Sequence, residues 1–168
     1  MNRELELKLI EKYPDFFNYY RRYPKKVRIR FTFSCGNGWY NLIDNLCYNL
    51  SEKIKDKNFK IIVIEVKQKF GGLRFYYIIE HERTDFLFRI GAVIRKFMFN
   101  KRLGKKYWKI IDFRRKFWKT IYEKISDEIE KAEKKSYEIC ESCGKKGTII
   151  GRHYIRISCE ECKNNTKR

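Results

Sequence analysis

Four cysteines are spaced as Cys140-x2-Cys143 and Cys159-x2-Cys162, with fifteen residues between the pairs. Each CxxC sets two thiolates on one tight knuckle, and two knuckles complete a tetrahedron around zinc. The competing reading is a set of free thiols or a redox pair. A lone CxxC leaves that open; two at this spacing predict one structural Zn2+ held by Cys140, Cys143, Cys159 and Cys162. With all four positions filled, no open coordination site remains for catalysis. So short a segment lacks a core of its own and relies on the metal to fold. Gly144 directly after the second ligand suits the sharp turn of a knuckle. His153, between the knuckles, is read as a surface residue of a short hairpin.

Other reactive side chains are sparse. There are two histidines, no plausible Ser-His-Asp set, no P-loop and no acidic cluster suited to magnesium. Cys35 is a nominal nucleophile, but nothing nearby supplies a base, and a free buried thiol is the commoner case. An enzyme built on Cys35 is therefore the weakest functional reading. The glycines of Cys35-Gly36-Asn37-Gly38-Trp39 suit a strand-to-helix turn, or else a helix start that binds an anion.

Charge is the outlier of the composition. Forty Lys and Arg face 21 Asp and Glu, a net of +19. Such an excess suits a polyanion or an acidic protein surface, or reflects a lysine-rich proteome. Residues 83–125 hold 14 basic residues against three acidic ones, and ten of the 28 aromatics. Basic side chains release counterions from phosphates, and interleaved rings stack on bases. The residues that would do this are Arg95, Lys96, Lys105, Lys106, Arg114, Arg115, Lys116 and Lys119. In Phe70–Tyr77, alternation puts Arg74 and Tyr76 on one strand face, either as a base-stacking platform or as ordinary cross-strand packing.

The elements that must position these residues read as an α+β fold. Residues 3–22 have helical spacing, with Pro14 kinking or restarting the helix. Residues 27–33 alternate as a strand. Helix follows the CGNGW turn to about Lys55, with Trp39, Leu42, Ile43, Leu46, Leu50 and Ile54 on one face. Residues 59–69 and 73–79 read as strands joined around Gly71-Gly72. These imply a small three-stranded, mostly antiparallel sheet with helices packed against it.

Phe86, Ile90, Val93 and Phe97 suggest one further helix. Trp108, Ile111, Trp118, Ile121 and Ile125 suggest another, running on toward Ile139, with Asn100–Lys106 as the link. Thr148–Ile150 and Tyr154–Ser158 form the hairpin of the ribbon. The expected units are a core over 1–82, a basic helical segment over 83–125, and a helix plus zinc ribbon over 126–168. Acidic residues in MNRELELKLIEKYPDFF do not suit a signal peptide, and no stretch approaches the roughly 20 apolar residues of a membrane span. A cytoplasmic protein that does not enter the membrane is expected.

The ordered run CGNGWYNLIDNLC, KFGGLRFYY, AEKKS (Ala132–Ser136), CESCGKKG and CEEC resembles a family of small phage and prophage proteins. The likeness covers about residues 35–80 and 127–162. It implies zinc ligation by the same four cysteines and assigns no catalytic residue. Residues 83–125 look like an insertion relative to that pattern. Phage origin implies two kinds of partner: nucleic acid (RNA or DNA), or a host nucleoprotein or defence complex that a small basic protein inhibits in the manner of an anti-CRISPR.

Overall fold

The computed structural model describes residues 1–17, 33–55, 59–81, 101–151 and 154–165. The chain opens with α1, Arg3–Lys12, capped by the Asn2 side chain, which accepts the Leu5 N–H at 3.0 Å. The expected helix over 3–22 stops here. Pro14 disfavours helical geometry at the residue before it, and Tyr13 has left the helix with φ −127° and ψ 60°. Residues 18–22, like most of the predicted strand 27–33, lie outside the described residues. Phe33 itself belongs to β1, Phe33–Ser34.

A short 3-10 turn, Asn37–Trp39, leads into α2, Tyr40–Ile54. Leu42, Ile43, Leu46, Cys47 and Leu50 are buried on its inner face, as the helical period requires. The long strands β2, Phe59–Lys69, and β3, Gly72–His81, form the antiparallel hairpin expected around Gly71-Gly72. A bulge between Val63 and Glu65 shifts their register. There the Val63 N–H is satisfied by the Phe16 carbonyl at 2.7 Å. The sheet order is β1-β2-β3, with β1 parallel to β2 through Phe33↔Val66. The parallel pair follows from the intervening α2, since parallel neighbours need a crossover.

Helix α3 runs unbroken over Lys101–Ser136. The expected link at Asn100–Lys106 is therefore helical from Lys101 onward. Lys105-Lys106 has good helix propensity, and the single Gly104 costs only about 1 kcal/mol against alanine. The helix predicted from Phe86 to Phe97 lies outside the described residues. Ile121, Ile125, Ile129 and Ala132 form the inward stripe of α3 and join Leu9, Trp39, Ile43, Ile61, Val66, Leu73 and Phe75 in one core.

The C-terminal turns of α3 also close the open edge of the sheet. The Ser136 hydroxyl accepts the Leu73 N–H at 2.9 Å, and Glu133 Oε1 accepts the Phe75 N–H at 3.2 Å. Ser136 is fully buried and donates back to the Glu133 carbonyl. An edge strand that would otherwise offer unpaired N–H groups is thus capped by side chains.

Substituting Ser136→Ala leaves the buried Leu73 N–H without an acceptor. The expected cost is about 1–3 kcal/mol, read as a lower midpoint in urea denaturation of zinc-loaded protein.

Candidate metal centre

The ribbon is built from two hairpin-like knuckles. In the first, Cys140 N–H donates to the Lys145 carbonyl at 2.7 Å and Gly144 N–H to the Cys140 carbonyl at 2.9 Å. Between the knuckles, β4 (Thr148–Ile150) pairs antiparallel with β5 (Arg156–Ser158), as the sequence suggests. The second knuckle sits at the start of α4, Glu160–Asn165, where Lys163 N–H meets the Cys159 carbonyl at 3.0 Å. His153 lies outside the described residues.

The four sulfurs of Cys140, Cys143, Cys159 and Cys162 lie within 4.8 Å of one another, and Cys143 Sγ is 3.6 Å from Cys159 Sγ. A tetrahedron with Zn–S bonds of about 2.3 Å has its sulfurs roughly 3.8 Å apart. The arrangement and the all-thiolate donor set fit one structural zinc ion. Among the described residues this is the one cluster of His, Cys, Asp or Glu with that compactness. Cys140 is buried and Cys143 is exposed, so the site sits half in the core contact and half at the surface.

The thiols also show why a cation belongs there. Burial pushes Cys140 up, but N–H groups of Cys143, Cys159 and Ser142 aimed at its sulfur bring it down to about 6. Hydrogen bonds with the Cys143 and Cys159 sulfurs, with burial, push Cys162 up to about 12. Neighbouring thiols at this distance do not all ionise together; a divalent cation among them removes the repulsion.

The knuckle is docked onto the core through the CGNGW turn. Gly36 N–H donates to Glu141 Oε1 at 3.0 Å, and Gly38 N–H to the Glu141 carbonyl at 2.8 Å. The buried Trp39 indole N–H reaches the Ile139 carbonyl at 3.0 Å. Burial pushes the Glu141 carboxyl up, and the Gly36 N–H partly offsets it. A Cβ at Gly36 would stand 2.1 Å from the Glu141 carbonyl oxygen; one at Gly38 would stand 2.2 Å from that of Cys140. The glycines do make a strand-to-helix turn; the Gly36 N–H faces a carboxyl group supplied by the chain itself, and the Gly38 N–H faces a neutral backbone carbonyl. Sequence reasoning missed that partner. Its only trace was the co-occurrence of CGxGW with CxxCG.

The residues proposed for binding lie on α3, on β3 and outside the described residues. Arg95 and Lys96 lie outside the described residues. Lys105, Lys106, Arg114, Arg115, Lys116 and Lys119 share the single helix α3. Lys116 and Lys119 are exposed, the latter 3.8 Å from Glu123. Arg74 is held inward: it donates to its own carbonyl neighbour Leu73 at 2.7 Å and to Tyr137 Oη at 3.4 Å, and lies 3.7 Å from Glu133. Tyr76 on the same face is exposed, with the Lys67 ammonium 5.1 Å from its ring centre. Cys35 is buried, and burial pushes its thiol up to about 12. No described helix is long and apolar enough to cross a membrane.

Fold and site together define an α+β protein carrying a C-terminal four-cysteine zinc ribbon. Comparisons with protein-family models, with curated proteins and with solved structures found no match to the chain.

Two outcomes follow. The purified chain should hold one zinc per molecule, and stripping it with a chelator should lower the melting midpoint by on the order of 10 °C; Cys159→Ser should do the same and abolish stoichiometric zinc. Gly38→Ala should cost about 3 kcal/mol or more, because the added carbon meets backbone rather than a yielding side chain. Zinc retention in chelator competition should fall with it.

Proposed function

We propose that this chain is a non-enzymatic, strongly basic zinc-ribbon protein of phage type that binds nucleic acid, RNA or DNA, free or within a nucleoprotein. The observation that carries the reading is the concentration of charge. Of the net +19, residues 83–125 contribute 14 positive against three negative side chains. A four-thiolate zinc centre adds a local −2, too little to change that balance.

The rest of the molecule supports a binding role. The ribbon's coordination sphere is complete, so it braces the end of α3 rather than presenting a reactive metal. Cys35 is kept as a neutral thiol by burial, which argues against its use as a nucleophile. Lys116 and Lys119 are exposed and three residues apart, so they lie on one cationic side of α3. That side neutralises phosphates without reading bases, which gives affinity with weak sequence preference.

The test is fluorescence anisotropy of zinc-loaded protein with single- and double-stranded RNA and DNA across a salt series. Binding should weaken steeply with salt. Changing Arg115, Lys116 and Lys119 together to Ala should lower affinity for every ligand alike and flatten the salt slope by up to about 3. Absence of binding to all four ligands at physiological salt overturns the reading and points the charge toward an acidic protein partner, such as a host defence complex.

A further inference from the structure

The β2–β3 hairpin turns through two residues. β2 ends at Lys69, β3 begins at Gly72, and those two residues pair. Both turn residues have positive φ, 54° at Phe70 and 80° at Gly71. That combination marks a type I′ turn, whose first position favours Asn, Asp or Gly. A bulky side chain there is a conformational outlier, held against its own preference.

Phe70 returns little to the fold for that strain. Its side chain is 67% exposed. Its ring is met by the Lys69 ammonium, 5.3 Å from the centroid. Lys69 has no acidic partner among the described residues. Cross-strand register places Lys69, Lys67, Arg74 and Tyr76 on one sheet face, through Lys69↔Gly72, Lys67↔Arg74 and Glu65↔Tyr76. Lys67 lies over the Tyr76 ring and is also paired with Glu65 at 2.7 Å. Tyr154 of the ribbon hairpin, 67% exposed, adds a third accessible ring. That hairpin packs against the tip: Gln68 Nε2 donates to the Ile155 carbonyl at 2.5 Å.

An exposed ring with an ammonium beside it that has no acidic partner among the described residues has a specific chemical complement. A planar unpaired base stacks on the ring, and the adjoining phosphate meets the cation. A continuous duplex keeps its base faces stacked inside and offers only phosphates and groove edges. An acidic peptide would use the ammonium and leave the ring without a planar partner.

We propose that Phe70 is a stacking site for an unpaired nucleobase, with Lys69 engaging the flanking phosphate and Tyr76 on the adjoining face offering a second ring. The site rests on the nucleic-acid reading above and adds a substrate class to it: single-stranded or locally unpaired nucleic acid.

The experiment uses the full zinc-loaded chain and oligonucleotides carrying 2-aminopurine, single-stranded and in a perfect duplex. The key variant is Phe70→Asn, because asparagine takes positive φ readily. Its melting midpoint should equal or exceed that of the native chain. Its affinity for the single strand should fall about tenfold, the scale of one lost base–aromatic stack, and protein-induced quenching of 2-aminopurine should disappear. Duplex affinity should stay within about twofold, and Phe70→Trp should retain single-strand binding.

Unchanged single-strand affinity and quenching in Phe70→Asn, with native protein that binds nucleic acid, overturns this site and leaves the broader reading standing. Equal losses for single strand and duplex overturn it as well. Native protein that binds neither probe removes the broader reading itself.

Discussion

The structure depends on one close backbone contact: the first zinc knuckle lies against the CGNGW turn with no room for a side chain between them. Gly38 N–H reaches the Glu141 carbonyl at 2.8 Å, and the hypothetical Cβ at that glycine falls 2.2 Å from the Cys140 carbonyl oxygen. Each partner fixes the other. The turn starts α2 and so sets the angle at which Trp39, Ile43 and Leu46 enter the core. A metal shared by its thiolates would hold the knuckle, and with it those carbonyls, in place. Zinc binding is thereby linked to packing of the α+β core, although the ribbon lies about 100 residues further along the chain, as the Trp39–Ile139 bond measures.

A second joint lies beside the first. Glu133, Ser136 and Tyr137 at the end of α3 engage the start of β3: two take N–H groups of the sheet edge, and the third covers Gly72, where a Cβ would stand 2.5 Å from its ring. Glu133 also lies near Arg74, which turns that arginine from a candidate ligand contact into part of the joint. The three sequence blocks CGNGW, FGGLRFY and AEKKS-to-CESCG therefore meet in space. Their order in the chain had suggested a pattern; the contacts supply its physical reason, since each block is the complement of another.

The zinc ligands, α2, the β2–β3 hairpin and the ribbon hairpin were legible because their signals are local. Thiol spacing, a 3.6-residue stripe and a Gly-Gly turn each state their own geometry. What was not legible is non-local. Gly36 and Gly38 look like any turn glycines until the knuckle arrives. Arg74 reads as a free cation until Glu133 and Tyr137 are beside it. Where element boundaries differ from the sequence expectation, the causes are local. Pro14 ends α1 rather than kinking it, and Lys101–Lys106 belongs to α3, where one glycine is outvoted by its neighbours. The strain at Phe70 is a different case, because residue type alone does not reveal a positive φ.

Helix α3 connects the two regions proposed to contact a polyanion. Its anchored portion runs from Ile121 to Ser136, where the inward stripe and the edge-capping side chains lie. Arg115 is 21 residues before Ser136 on the same helix, a distance of roughly 30 Å at 1.5 Å per residue. Ser136 bonds Leu73, which puts the far end of that span near the hairpin tip that carries Phe70. The cationic side of α3 and the stacking ring therefore do not form one compact pocket. A ligand that uses both has to be long, about nine nucleotides at the 3.4 Å rise of a stacked strand, with unpaired bases at one end and any conformation along the helix. Shorter ligands reach one region at a time, so affinity should grow with length until the span is covered and level off beyond it, as expected when two weak contacts share one tether.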